Sequence, residues 1–266
     1  MTDTDPVHPS RIERYFEQVL SNAIKVNLPL VQDVLDDCPD RWYGQLVVTV
    51  YDSLSERQDR EDVLPAAAAI ELLRGYIRLR SRLLVTLADK HAHSLTLDPT
   101  AALLAGDYLY TAAFSSLRSR PDSSSSDCFE ILTTILETVT GAFARTYTAA
   151  GSTDHDQAKF LDDTAGSLGE GAAALGATLA GVDEPVRRDC ERLGRGLSTA
   201  RQVNHVLDMD PAEAMVVPPT FDESQFRMYA KQQRNDAARA LDILSETIDV
   251  THLRAFAGVS TPRQDQ

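Results

Sequence analysis

Lysine is almost missing from this chain of 266 residues. There are four (Lys25, Lys90, Lys159 and Lys231) beside 22 arginines, against 27 aspartates and 13 glutamates, for a net charge of −14. So little positive charge argues against non-specific attachment to nucleic acid or to an anionic membrane, both of which need a basic face. Cysteine is scarce too. Cys38, Cys128 and Cys190 lie far apart in no CxxC or Cys/His spacing, so neither a disulfide scaffold nor a zinc site is expected and the thiols read as reduced and mostly buried. Apolar runs near the roughly 20 residues needed to span a bilayer are absent. The N-terminus is acidic rather than basic-then-apolar, so no signal peptide is read and a cytoplasmic protein is expected. No stretch alternates in the manner of a strand, and no internal repeat is found.

What is present is acid and helix. An aspartate-rich, lysine-poor composition is that of proteins from salt-loving organisms, where salt screens self-repulsion; an ordinary acidic protein from a GC-rich genome is the alternative. Helical periodicity runs through the whole chain. Residues 11–26 put Ile12, Tyr15, Phe16, Val19, Leu20 and Ala23 on one stripe. Further helices are predicted over 40–54, from Pro65 to about 88, and from Asp98, as N-cap with Pro99 behind it, to about 118. Asp127 is predicted to cap a helix ending near 150. Residues 154–181, with five glycines, predict two short, closely packed helices. Pro185 starts another helix, to Asp208, and a last long one covers about 222–247, followed by 250–258. The fold class is therefore all-α: one bundle of about ten helices over residues 11–258, with disordered tails at 1–10 and 259–266.

Several segments, in order and spacing, are similar to the trans-isoprenyl (polyprenyl) diphosphate synthase family. Residues 101–109 contain Ala105-Gly106-Asp107 and resemble that family's "AxLAGDxL". Glu71-Leu72-Leu73 resembles the lead-in to its first aspartate-rich motif. Residues 167–181 resemble "SLFxAAxxLGAxLAG", Leu193-Gly194-Arg195-Gly196-Leu197 with Arg201-Gln202-Val203 resembles "YGxxLGxAFQ", and residues 253–257 resemble the terminal helix. The resemblance implies an isoprenoid-synthase-like bundle around a central cavity. It also implies a reaction in which two aspartate motifs hold Mg²⁺, the metal holds an allylic diphosphate, and isopentenyl diphosphate attacks the carbocation.

The chain departs from the family where that chemistry happens. In place of the first motif's aspartates stand Ser81, Arg82 and Val85. The second motif reads Asn204-His205-Val206-Leu207-Asp208, which keeps Asp208. The segment matching "GGKR" is Cys38-Pro39-Asp40-Arg41, which keeps Arg41. "RRG" falls near Asp89–His93, and the "KT" lysine is replaced by Asp163 before Thr164. No cofactor is expected, because the ligands for Mg²⁺ are missing.

Arg74, Arg78 and Arg82 recur every four residues on one helical face, with Arg80 off it. With Arg41, they are candidates to hold a diphosphate directly; the other reading is internal pairing with Glu71, Asp107 or Asp208. Arg82 and Asp208 are expected to meet across the former metal site. His205 beside Asp208 reads as an acid–base pair or metal ligand, or as a hydrogen-bonded core histidine. His91 and His93, and Asp154-His155-Asp156, read as surface loops or metal ligands, and Asp162-Asp163 as a solvated or capping pair.

The function expected is that of a degenerate family member without Mg²⁺-dependent prenyl transfer, acting as a non-catalytic partner or regulator of an active synthase in a homodimer or heterodimer. Two alternatives stand: an active prenyltransferase with metal-independent chemistry, or a protein that binds a prenyl diphosphate without turning it over.

Overall fold

The structure is a computed structural model and describes residues 10–37, 40–55, 60–88, 98–118, 124–148, 157–208, 214–216, 218 and 222–258. All regular structure among these residues is helical. The helices are α1 (Ser10–Lys25), α2 (Pro29–Asp36), α3 (Trp42–Leu54), α4 (Leu64–Ala88), α5 (Pro99–Leu117), α6 (Ser124–Thr148), α7 (Gln157–Leu161), α8 (Ser167–Ala180), α9 (Glu184–Asp208), α10 (Glu223–Leu244) and α11 (Thr251–Phe256).

Helix α4 is the axis. From Leu64 to Gly75 every residue is buried, the mark of a helix surrounded on all sides rather than one with a single core stripe. It packs along α5, while α8 lies between α3 and α9 and α10 lies along α9. The helix ends follow local chemistry. Asp98 accepts a hydrogen bond from the Thr100 N–H at 2.9 Å with Pro99 in the first turn. Asp222 accepts from the backbone N–H groups of Ser224 and Gln225 at 3.0 and 3.1 Å, and these bonds lower its pKa.

Two boundaries differ from the sequence reading. Asp127 lies within α6, which begins at Ser124, so it meets the helix dipole from the first turn instead of capping it. Residues 157–180 form one helical run rather than two short helices, because α7 passes into α8 through a π-helical turn, Asp162–Gly166. The glycines of this run serve packing. A Cβ on Gly169 would fall inside contact distance of the Gly194 carbonyl oxygen, and one on Gly194 would do the same to Gly169. A Cβ on Gly176 would lie 2.6 Å from the Val47 carbonyl oxygen. Backbone therefore meets backbone on two sides of α8, and side-chain-free positions are required there.

Of the cysteines, Cys128 and Cys190 are buried and in no disulfide, and burial pushes Cys190 up to about 12. Cys38 lies outside the described residues, as do the His91/His93 and Asp154–Asp156 segments, residues 1–9 and residues 259–266; Ser10, expected in the N-terminal tail, begins α1.

Candidate functional site

Helix α4 carries the arginine face into the start of the α2–α3 connection. The 3.6-residue period aligns Arg74, Arg78 and Arg82, and α2 packs against that side. Arg74 is buried; its Nε donates to Glu71 Oε2 at 2.8 Å and its Nη2 to the Val34 carbonyl at 3.4 Å. Glu71, also buried, accepts through Oε1 from the Gly44 N–H at 2.9 Å, so this carboxylate ties α3 to α4. Arg78 is buried and reaches Asp37 Oδ2 at 2.8 Å, and Arg82, half-buried, lies 3.7 Å from the same oxygen. Arg80, on another face, stands over the Tyr76 ring with its Nη2 3.9 Å from Asp107. Of the internal partners expected for this arginine set, Glu71 lies against Arg74, while Asp107 lies beside Arg80, off that face. Asp37, from the end of α2, is a partner that sequence reasoning missed.

Arg41, just before α3, meets α1 and α2. Its backbone adopts φ 46°, a left-handed conformation uncommon for a residue with a Cβ. Its guanidinium donates to the Leu35 carbonyl, lies 4.8 Å from the Phe16 ring centre and is 3.9 Å from Glu13. These contacts fasten α1 and α2 to the head of α3.

Of the remaining positions expected here, Ser81 is buried and Val85 half-buried on α4, while Asn204 and His205 are half-buried near the end of α9. The side chain of Asp208 lies outside the described residues, and the expected Arg82–Asp208 contact falls there with it. His205 joins Asp40, Trp42, Tyr43, Arg74, Arg201 and Gln202 around a cavity of only about 40 Å³, which Met215 helps close. Residues 214–216 are buried over this end, and Gln202 Nε2 donates to the Val216 carbonyl at 3.0 Å. Arg201 lies across the Trp42 ring at 5.3 Å and bonds Asp40 at 2.5 Å. Carboxylates and backbone carbonyls thus hold each arginine of this face at some of its nitrogens. Among the described residues no three histidine, cysteine or acidic side chains converge to hold a metal ion.

The π turn is the second polar centre. Ser198 Oγ donates to the Ala165 carbonyl at 2.5 Å and accepts from the Tyr43 hydroxyl at 3.0 Å. Burial, against the Ser198 bond, pushes Tyr43 up to about 12, so it stays a neutral donor. Asp163, read from sequence as solvated or capping, is buried and gripped by Arg145 at 2.5 Å and Lys159 at 2.8 Å. Asp162 accepts from Arg195 at 2.8 Å, and Arg195 also bonds Glu170. Burial works to lower the pKa of the Arg195 guanidinium, but these two carboxylates outweigh it and the pKa ends raised.

No known family model and no curated protein sequence matches the chain. Solved structures do. A deletion mutant of the heterotetrameric geranyl pyrophosphate synthase of mint, in complex with ligands, superposes with a TM-score of 0.70 over 94% of this chain and 96% of its own, at 18% identity. The small subunit of geranyl diphosphate synthase from Antirrhinum majus gives 0.69 over 94% and 97%, at 19% identity. The fold is that of the isoprenoid synthases. Helicobacter pylori geranyltransferase, complexed with magnesium and isoprenyl diphosphate, gives 0.71 over 94% and 96%, at 17% identity. Coverage of nearly the whole of both chains makes the protein polyprenyl-synthase-like in its complete architecture.

Proposed function

We propose that this protein has the isoprenoid-synthase fold without Mg²⁺-dependent prenyl transfer and works as a non-catalytic partner or regulator of an active synthase. The observation that carries the reading is the state of α4. Where the resemblance to polyprenyl synthases puts three aspartates, this helix presents a buried hydroxyl (Ser81), a guanidinium (Arg82) and an isopropyl group (Val85). A hard cation takes oxygen ligands, and a fixed guanidinium repels it, so this donor set does not fit Mg²⁺. The neighbouring arginines lie against Glu71 and Asp37, which supports internal pairing over diphosphate binding.

The partner role draws support from two further facts. Leu103, Leu104 and Tyr110 on α5 are each more than two-fifths exposed, an apolar surface suited to covering by another subunit. Two of the similar structures are a heterotetrameric synthase and a synthase small subunit.

The test has two arms. Purified protein is incubated with allylic and isopentenyl diphosphates, with and without Mg²⁺, at low and at molar salt. No longer prenyl diphosphate is expected, and Mg²⁺-dependent elongation, with host synthase excluded, overturns the loss of catalysis. In the second arm the protein is added to an intact aspartate-motif synthase from the same genome. A stable complex with altered turnover or product length is expected; co-elution of neither species with the other rejects the partner role.

A further inference from the structure

Helix α10 is an outer helix. Among the described residues it packs extensively on α9 and on no other helix. Its buried face is Phe226, Ala230, Ala237, Ala240, Leu241 and Leu244. At about 100° per residue, Met228, Gln232, Asn235, Arg239 and Asp242 run along the crest opposite that face, with Lys231 on one flank and Ile243 on the other. This open side carries two large apolar side chains, Met228 at 68% exposed and Ile243 at 48%.

Charge is divided along the helix. Ser224 to Asn235 carries Arg227, Lys231 and Arg234 and no acid, whereas Asp236 to Asp249 carries Asp236, Asp242, Glu246 and Asp249 against Arg239. Pairing within the chain does not level the difference. Glu223 holds Arg227 at 2.8 Å, but Lys231 and Arg234 make no ion pair among the described residues. These cations stand one turn apart with like charge, which is unfavourable in a lone helix. In the second half Asp236 is held by Arg239, while Asp242 lies 3.2 Å from Arg254 with its side chain still 76% exposed.

A helix that is positive in its first half and negative in its second is complementary to a copy of itself laid antiparallel. A purely acidic partner would suit the first half alone. The apolar side chains fit the same arrangement. The register that sets Met228 against Ile243 of the second copy also sets Gln232 opposite Arg239 and Asn235 opposite Asp236. In that register Lys231 stands two residues, about 3 Å along the axis, from the position opposite Asp242, and on the same flank.

We propose that α10 docks on α10 of a second copy of this chain, antiparallel, about a two-fold axis across the helices. The contact is isologous, so each pair occurs twice. A helix of 22 residues is about 33 Å long, and a strip about 10 Å wide buries roughly 700 Å² over both copies. That is below the standard interface, so the dimer is weak and concentration-dependent. It uses a different face from the α5 side chains that support pairing with a synthase and does not rest on that reading.

Sedimentation velocity of the full chain at rising concentration tests it, in about 0.15 M KCl to screen the long-range repulsion between two acidic molecules. A dimer that grows with concentration is expected. Met228→Arg, Lys231→Glu and Asp242→Lys should each weaken it about tenfold or more, because the two-fold axis counts every substitution twice. Mixed in equal amounts, Lys231→Glu and Asp242→Lys should pair as well as the unaltered chain, since the reversed charges then face each other at both ends. Circular dichroism checks that each variant keeps its helix. A chain monomeric at every concentration, a dimer indifferent to all three changes, or a mixture of the two reversed variants that stays monomeric would overturn the proposal. So would a dimer dissolved by Leu104→Arg and not by these changes, which would put the second copy on α5 instead.

Discussion

Glu71 has no exposure to water, and each of its oxygens has a donor, Gly44 N–H and Arg74 Nε. A buried ion pair of this kind contributes little over a well-packed apolar pair, but removing one partner leaves a charge in a poor solvent. Glu71→Ala and Arg74→Ala are each expected to lower stability by about 3 kcal/mol, and the double variant by less than the sum. Urea denaturation of the four proteins measures this, and strictly additive losses would show that the two side chains act separately. The arginine spacing on α4 is legible in the sequence because a helix repeats every 3.6 residues. That Asp37 receives Arg78 and Arg82 is not legible. It depends on where the end of α2 meets α4, and nothing local to either segment encodes that meeting.

At the scale of elements, the α8–α9 crossing brings backbone against backbone, with Gly169 facing Gly194. At Gly194 little can give way, because the obstructing atoms are the Gly169 backbone and the Ala173 Cβ. Gly194→Ala adds one methyl where a carbonyl and the Ala173 Cβ already stand, and is expected to destabilise by about 3 kcal/mol despite alanine's better helix propensity. Thermal unfolding followed by circular dichroism reads this, and a neutral or stabilising result would mean that the helices are free to separate. The glycine-rich composition of 154–181 announces close packing, but it also suggests a break that does not occur. The π turn replaces the break. Its Ala165 carbonyl is taken up by Ser198 and its two aspartates by cations from α6, α7 and α9, partners supplied from outside the turn itself.

For the whole molecule the controlling quantity is a net charge of −14. Many of its surface pairs are one turn apart on a single helix, such as Arg188–Glu184 at 2.9 Å and Arg227–Glu223 at 2.8 Å. Exposed pairs of this sort add little each, so they do not cancel the repulsion among the remaining carboxylates. Screening by salt should. If it contributes about 2 kcal/mol, the unfolding midpoint rises by roughly 4–8 °C between low and molar KCl. A midpoint that is flat or falls over that range would remove the case for adaptation to high salt.

Composition and periodicity by themselves determined the all-α class, most helix bounds, the capping role of Asp98 and the alignment of Arg74, Arg78 and Arg82, because each depends on residues within a turn or two of one another. The order of motif-like segments was enough to imply an isoprenoid-synthase-like bundle, and the superpositions bear that architecture out. Tertiary structure decided the rest: which carboxylate meets which arginine, that Asp163 is buried among cations, and that residues 214–216 cover the end of α9. Those features join residues tens of positions apart. Their energies exist only once the helices have packed, since burial is what turns a charge or a hydroxyl from a solvated group into one that must find a partner.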